Sequence, residues 1–221
     1  MIKEPRKIPS HEVVYARLRD MILFGILEPG QPVTIQGLVA QLEVGMTPVR
    51  EAIRRLTAEG ALMPQGNRRV TVPKMTPGVL EQVSFARMTI EPMLIEKAGA
   101  VLTPRMIERL AKLDEAVNQA IRTGDIPAYL ESNHAFHFAL YEATGATVLV
   151  DMVRSLWLRF GPSLRAVCAR VGSLGLPDQH AAALAAMRAG DPAALRAAME
   201  RDIAQGIDQV RIVLGQADVR S

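Results

Sequence analysis

The apolar positions between residues 44 and 56 repeat with the period of an amphipathic helix. A buried stripe at i, i+3, i+4 and i+7 is predicted for Val49, Ala52, Ile53 and Leu56. Thr47 is expected to cap the N-terminus of this helix. Pro48 suits its first position, where no backbone N–H is needed. The helix is therefore expected to begin just after the Val44-Gly45 turn.

The opposite face of this helix is polar and basic, and it carries Thr47, Arg50, Arg54 and Arg55. Glu51 lies four residues before Arg55 and can offset its charge. No acidic residue is placed to offset Arg50 and Arg54 in the same way. The pattern leaves two interpretations open: a solvated basic face, or a face that binds a polyanion such as nucleic acid.

The surrounding pattern predicts two helices before this segment and two short strands after it. In chain order, the predicted elements are a helix over residues 11–24, a helix capped by Thr34, the basic helix ended by Gly60, and strands at 61–63 and 70–72. The hairpin tip between the strands carries Arg68 and Arg69. Three helices followed by a basic hairpin are typical of a winged helix-turn-helix. Its third helix enters the DNA major groove, and its hairpin lies along the backbone or minor groove.

From about residue 76 onward the pattern is helical throughout. Helices are predicted near residues 79–101, 104–122, 127–143, 148–171, 178–189 and 192–214. Short loops between helices favour an antiparallel bundle. We therefore predict a mainly α protein. Residues 1–75 would form a winged helix-turn-helix DNA-binding domain, and residues 76–221 an all-helical domain for effector binding and dimerisation.

Charge and composition support this division. Residues 1–75 hold 11 Lys and Arg against 7 Asp and Glu, whereas the remaining residues hold 15 against 16. The basic excess therefore lies with the predicted DNA-binding domain. Cys168 is the only cysteine, which excludes an internal disulfide and a thiolate metal cluster. The N-terminus does not resemble a signal peptide, and no apolar run approaches the ~18 residues of a membrane span. A cytoplasmic protein without membrane contact is expected.

Several short motifs occur in order over residues 11–73. They are Gly25-Xaa-Leu27-Xaa-Pro29-Gly30, Leu38-Val39-Ala40, Thr47-Pro48-Val49-Arg50-Glu51-Ala52, Leu56 and Glu59-Gly60. This series resembles the N-terminal domain of GntR-family transcriptional regulators. The resemblance implies that Arg50 and Arg54 contact phosphates and base edges of a double-stranded DNA operator. Thr47, Arg68 and Arg69 complete the expected DNA-binding set.

The sequence departs from the GntR pattern at two places. Gly45-Met46 stands where the family often has Ser-Arg, which removes a hydroxyl and a guanidinium often used on DNA. Arg69 stands where the hairpin usually carries a glycine. The operator sequence therefore does not follow from the resemblance.

The polar residues of the helical half form a second pattern: Arg87 with Glu91, Asn133 to His137, His180, Gly190-Asp191 and Asp202. This pattern resembles the C-terminal ligand-binding domain of the FadR-type GntR subfamily. The resemblance implies a divalent metal held by Asn133, His137, His180 and Asp202. Imidazoles with carboxylate and amide oxygens suit Zn²⁺, Ni²⁺ or Mn²⁺. The alternative is a metal-free core in which the two histidines bond to Asn133 and Asp202.

Arg87 also has two interpretations. Its position four residues before Glu91 is typical of a local ion pair. The resemblance instead implies an arginine directed into the ligand cavity, where its guanidinium holds the carboxylate of an effector bidentately. We favour the second interpretation.

These features predict a non-enzymatic function. We expect a dimeric transcriptional regulator whose operator affinity is controlled by a small metabolite, a carboxylic acid by preference, bound in the helical domain. The alternative is a metal-dependent hydrolase with His137, His180 and Asp202 on Zn²⁺. That reading leaves the winged-helix half without a role. The sequence does not identify the effector, the operator or the sign of regulation.

Overall fold

The computed structural model describes residues 10–66, 69–171 and 178–218, with the backbone alone at residue 10, at 169–171 and at 216–218. The chain divides into two compact units, Met1–Lys74 and Met75–Ser221. Within the described residues, no helix combines the length and hydrophobicity needed to cross a membrane.

The first unit contains a small sheet beside three helices. Its elements are α1 (Ser10–Leu23), β1 (Pro32–Thr34), α2 (Ile35–Leu42), α3 (Met46–Ala58), β2 (Met63–Gln65) and β3 (Arg69–Thr71). The strand order is β1-β3-β2, and both pairings are antiparallel. This arrangement is a winged helix-turn-helix, so the predicted fold of this part is confirmed.

The strands differ in detail from the prediction. Ala61 and Leu62 were expected in a strand, but both backbone amides donate to the Leu56 carbonyl, at 2.8 and 3.2 Å. These two hydrogen bonds belong to the C-terminal turn of α3, so β2 begins only at Met63. The strand β1 was not predicted, because three residues without alternating polarity give no strand signal.

The start of α3 also differs from the prediction. Gly45, not Thr47, occupies the N-cap position, and no side chain caps the helix. Glu43 ends α2 in the left-handed region, with φ of 54°, so the chain has already turned when it reaches Met46. Thr47 is therefore the second helical residue. The predicted cap on α2 is confirmed, because the Thr34 hydroxyl accepts from the Gly37 amide at 2.9 Å.

The core of the first unit is built from the predicted stripe of α3. Val49, Ala52, Ile53 and Leu56 are all buried. They lie with other buried side chains of α1 and α2, among them Leu18, Ile22, Leu38 and Leu42. Burying a side chain of this size stabilises a fold by about 1.5–3 kcal/mol. The stripe therefore fixes which face of α3 points outward.

The second unit is an all-helical bundle over its described residues. Its helices are α4 (Pro77–Gly99), α5 (Pro104–Thr123), α6 (Ile126–Ala143), α7 (Thr147–Val171), α8 (Gln179–Ala189) and α9 (Pro192–Asp218). Helix α4 packs against α6, α7 and α9, while α5 packs against α6 and α8, and α8 packs against α9. The predicted mainly α fold is confirmed.

Local signals explain where these helices begin and end. Gly124 and Gly190 adopt φ of 68° and 65°, and they end α5 and α8 in the left-handed region that glycine tolerates. An aspartate follows each glycine. Asp125 and Asp191 accept from the backbone amides three residues later, at 3.0 and 2.9 Å, and so begin α6 and α9. Short Gly-Asp turns therefore fold α6 and α9 back onto the bundle.

Candidate functional site

The exposed face of α3 carries the residues expected to contact DNA. Met46, Thr47, Arg50, Glu51 and Arg54 are all exposed, on the side of the helix opposite the buried stripe. Within the described residues, Arg50 and Arg54 form no salt bridge. The charges of both guanidinium groups are therefore directed outward, as a phosphate-binding surface requires.

Arg55 is held differently from its neighbours. Its Nε donates to Glu59 Oε1 at 3.1 Å, and its guanidinium carbon lies 3.7 Å from the centre of the Tyr15 ring. The Tyr15 hydroxyl donates to both oxygens of Glu59, at 3.0 and 2.9 Å. The predicted pairing of Arg55 with Glu51 is therefore wrong, because Tyr15 on α1 fixes Glu59 as the partner. Partial burial and the Glu59 carboxylate raise the pKa of Tyr15.

The hairpin contributes one arginine that the structure describes. Arg69 is exposed at the start of β3, where it pairs with Thr34 on β1 and Gln65 on β2. The predicted DNA contact at Arg68 lies outside the described residues.

The helical unit brings together three of the four predicted metal ligands. The Nε2 atom of His137 on α6 lies 2.9 Å from Asp202 Oδ2 on α9, and the Nε2 atom of His180 on α8 lies 3.7 Å from Asp202 Oδ1. One ligand atom from each of these residues lies within 4.8 Å of the other two. We call these three residues the His–His–Asp cluster. Asn133, one turn before His137 on α6, is also buried.

Each imidazole ring has a second polar neighbour at its outer nitrogen. His137 Nδ1 lies 2.9 Å from the Tyr141 hydroxyl, and His180 Nδ1 lies 3.3 Å from Asp114 Oδ1. In metal sites, a second partner of this kind on the outer nitrogen fixes the ring so that the other nitrogen faces the ion. Here both Nε2 atoms face Asp202, as a shared cation would require.

His180 provides an observation that favours a ligand. Its contacts with Asp114 and Asp202 have ion-pair distances but lack hydrogen-bond geometry. Both ring nitrogens are therefore buried without a hydrogen bond among the described residues. A buried polar group left in this state costs about 1–3 kcal/mol. A divalent cation at Nε2 would remove part of that cost, so the residues present fit a metal ion.

The charges within the cluster shift the pKa values of His180 and Asp202 in opposite directions. Burial alone lowers the pKa of His180, but Asp114 and Asp202 outweigh it, and the net shift is upward. Burial alone raises the pKa of Asp202, but its hydrogen bond with His137 and the two nearby imidazoles outweigh it, and the net shift is downward. Asp202 is therefore a carboxylate at neutral pH, which suits a cation ligand.

Arg87 lies beside the cluster and is already paired. Its Nε and Nη2 atoms donate to the two oxygens of Glu91, at 2.5 and 3.2 Å, and both side chains are buried. The guanidinium carbon also lies 4.6 Å from the Trp157 ring centre and 4.4 Å from that of Phe160. The Tyr141 hydroxyl donates to Glu91 Oε2 at 2.6 Å, which continues the chain of contacts toward His137. Burial and the Glu91 charge hold the pKa of Tyr141 well above its ordinary value.

A small cavity opens beside these residues. Its volume is about 60 Å³, and its lining includes Arg87, Tyr129, Asn133, His137, Trp157 and Asp202. Pockets that hold drug-sized ligands usually measure about 300–1,000 Å³. The cavity therefore suits a ligand of few atoms, and Arg87 lines it while remaining bound to Glu91.

Sequence reasoning missed two residues of this site, Asp114 and Tyr141. Asp114 lies on the buried face of α5 with Leu110 and Val117, at i, i+4 and i+7. A carboxylate within an apolar stripe is the signal that would have identified it, because buried charges are rarely unpaired. Tyr141 follows His137 at i+4, so the helical period placed it on the same face as the predicted ligand.

Comparison with protein families supports both halves of this description. The family model described as "Bacterial regulatory proteins, gntR family" matches residues 10–72, and the model described as "FCD domain" matches residues 82–205. The chain is 30% identical over 193 residues to "HTH-type transcriptional regulator McbR" of Escherichia coli (strain K12), covering 86% of this chain and 87% of that protein. It is 24% identical over 148 residues to "HTH-type transcriptional repressor RspR" of the same strain, covering 67% of this chain and 65% of that protein.

Solved structures agree with these matches. The structure of E. coli McbR/YncC superposes with a TM-score of 0.86 at 28% sequence identity, covering 96% of this chain and 99% of that chain. A putative GntR regulator from Rhodococcus sp. RHA1 gives a TM-score of 0.74 at 20% identity, covering 90% and 96% of the two chains, and so supports the fold alone. These relatives are regulators rather than enzymes, so the hydrolase alternative is wrong. The chain belongs to the GntR family of transcriptional regulators and carries a C-terminal FCD domain of the FadR type.

Proposed function

We propose that this regulator binds its operator as a homodimer and that a small carboxylic acid, bound beside a divalent metal in the helical unit, changes its operator affinity. The observation that carries the proposal is the His–His–Asp cluster, which is formed by three helices and of which His137 and Asp202 line a cavity. A buried group of this kind has no evident role in DNA contact, whereas it suits ligand sensing.

The metal would be held by the Nε2 atoms of His137 and His180 and by the Asp202 carboxylate. Asn133 lines the same cavity and would add an amide oxygen. A site with two imidazoles and oxygen ligands suits Zn²⁺, Ni²⁺ or Mn²⁺. Because the protein supplies only three or four ligands, the ion would retain positions for water or for an effector.

The effector class follows from the charges around the cavity. Glu91 occupies two donors of Arg87, so the bidentate contact expected for Arg87 is not available while this ion pair persists. The principal anchor for an anionic effector would therefore be the metal, and the remaining Nη1 group of Arg87 would supply a second contact. A small carboxylate can bind the metal and also accept from Nη1 of Arg87, and it fits a cavity of about 60 Å³.

A continuous set of contacts links this site to α4, the first helix of the second unit. His137 contacts Tyr141, Tyr141 donates to Glu91, and Glu91 binds Arg87 on α4. A ligand changes an equilibrium only if it binds two states differently. We propose that the effector favours one position of His137 and thereby one position of α4.

Dimerisation is part of the same proposal. Phe85 on α4 is 76% exposed and Val148 on α7 is 73% exposed, and Met88 and Met152 are exposed on the same two helices. Helices α4 and α7 pack against each other, so a second copy of the chain could cover both. Two-fold dimers of helix-turn-helix proteins read pseudo-palindromic sites, since each subunit reads one half-site.

The proposal is tested on full-length protein with an operator selected from a random duplex library. Operator affinity would be measured with apo protein and with Zn²⁺-loaded protein, across a panel of mono- and dicarboxylic acids. We expect at least one acid to change the affinity of the loaded protein and to have no effect on His137→Ala. If the loaded protein and His137→Ala respond alike to every acid, the metal-linked effector site is wrong.

A further inference from the structure

An apolar residue lies at the N-terminal end of the basic face of α3. Met46 is the first residue of the helix, and its side chain is 40% exposed. Arg50 and Arg54 follow it at i+4 and i+8, so all three share one face. The other exposed large apolar side chains of this unit, Val13, Ile26 and Met63, lie outside α3.

The position of Met46 determines what it meets on DNA. In helix-turn-helix proteins the N-terminal residues of the recognition helix contact base edges in the major groove. Met46 is the first residue of that helix, on the face that carries Arg50. If α3 lies in the groove, the Met46 side chain is expected there beside the guanidinium groups, because it is exposed and does not pack in the core.

The chemistry of Met46 restricts the base it can read. Its thioether has no hydrogen-bond donor and only a weak acceptor, so it gives no bidentate contact to guanine O6 and N7. In the major groove the apolar feature is the C5-methyl group of thymine. A flexible unbranched side chain adapts its length to such a contact.

We infer that Met46 is a specificity-determining residue that contacts a thymine C5-methyl group in each operator half-site. The inference rests on the proposed binding of the operator, with α3 in the major groove as expected for a winged helix-turn-helix. The Met46 contact would add a preference for thymine that the arginines alone do not provide, since Arg50 and Arg54 favour guanine or phosphate.

The test removes only the methyl group from the DNA. An operator is first selected with the full-length protein from a random duplex library, and each thymine is then replaced by uracil in turn. We expect one symmetric thymine whose replacement weakens binding about fourfold per half-site, as expected for the loss of one buried methyl group. Met46→Ala should bind the thymine and uracil operators equally well.

Further variants separate methyl reading from other effects. Met46→Leu should keep the thymine preference, and Met46→Arg should select guanine at that position instead. Met93→Ala removes a methionine of matching exposure, 39%, in the helical unit, and it should keep the parent's thymine-to-uracil ratio. Each measurement is a ratio of affinities, so a general loss of binding does not imitate the result.

The outcomes distinguish this inference from the proposed function. If Arg50→Ala weakens operator binding but no thymine-to-uracil replacement separates the parent from Met46→Ala, the inference is wrong while α3 remains the reading helix. If Arg50→Ala also binds like the parent, the reading of the operator by α3 is wrong, and the role of Met46 is overturned with it.

Discussion

Each of the two units contains an arginine, a glutamate four residues later and a tyrosine from another helix, but only one of these sets is buried. In the first unit Arg55, Glu59 and Tyr15 form the exposed triad. The side chains of Arg55 and Glu59 are 59% and 30% exposed. Water can therefore replace any of the contacts within this triad.

The buried triad consists of Arg87, Glu91 and Tyr141. The side chains of Arg87 and Glu91 are 3% and 0% exposed. As in the exposed triad, the arginine binds the glutamate, which also accepts from a tyrosine hydroxyl. The arginine lies over the rings of Trp157 and Phe160 here, whereas Arg55 lies over the tyrosine of its own triad. The same sequence spacing therefore yields two different sets of contacts, one solvated and one buried.

The largest expected difference between the triads concerns the glutamates. Glu91→Ala would leave the Arg87 charge buried without a partner and should lower the free energy of unfolding by about 3–5 kcal/mol. Glu59→Ala removes a largely solvated pair and should cost under about 1 kcal/mol. Denaturant unfolding measures the stability of both variants. Circular dichroism follows the whole chain, and the fluorescence of Trp157, the only tryptophan, follows the helical unit. Equal losses of stability in Glu91→Ala and Glu59→Ala would contradict the distinction between the triads.

The tyrosines should differ in the same direction by a smaller amount. Tyr141→Phe leaves the buried Glu91 Oε2 and His137 Nδ1 atoms without this hydroxyl and should cost about 1–3 kcal/mol of stability. Tyr15→Phe should cost less, since water reaches Glu59. Tyr141→Phe should also weaken Zn²⁺ binding about 10–100-fold, because the hydroxyl orients a ligand imidazole. Calorimetric titration with Zn²⁺ checks this effect, and unchanged Zn²⁺ affinity would contradict the role of Tyr141.

The exposed triad also predicts a difference between neighbouring arginines of α3. Arg50→Ala and Arg54→Ala should each weaken operator binding by about 1–3 kcal/mol if they contact bases. Arg55→Ala should have a smaller effect on binding, because Glu59 and Tyr15 already hold its side chain. Fluorescence anisotropy with the selected operator measures all three variants. A loss for Arg55→Ala as large as that for Arg54→Ala would place Arg55 on the DNA as well.

The smallest predicted effect belongs to the hairpin. Arg69→Ala should lower the affinity for operator and random DNA by the same factor and reduce the slope of log K against log salt by about 1. A salt series with both DNA duplexes measures the slope. If Arg69→Ala lowered the affinity for the operator but not for random DNA, Arg69 would instead be a base-reading residue.

Contacts within one helix could be predicted from the sequence. The spacing of Arg87 and Glu91 is typical of the ion pair that the structure shows, although the resemblance to FadR-type regulators favoured an effector contact for Arg87. The spacing of Asn133 and His137 indicated a shared face. Both readings follow from the helical period alone. The caps at Thr34 and Asp125 likewise depend only on neighbouring residues.

Contacts between distant residues could not be predicted in this way. Tyr141 and Glu91 are 50 positions apart, and periodicity gives no indication that the tyrosine meets this glutamate. Asp114 contacts His180 from another helix, so its role depends on how α5 packs against α8. Glu51 and Glu59 each lie four residues from Arg55, so the sequence does not choose between them. The position of Tyr15 on α1 decides in favour of Glu59.

The most direct test of the central claim is the metal content of the His–His–Asp cluster. Protein reconstituted separately with Zn²⁺, Ni²⁺ and Mn²⁺ would be desalted and analysed by native mass spectrometry, beside His180→Ala as the matched variant. We expect about one divalent ion per chain for at least one of these metals, no ion in His180→Ala, and a lower melting temperature of the parent after chelation. A parent protein that retains none of the three metals would contradict the metal site and leave a hydrogen-bonded histidine core in its place.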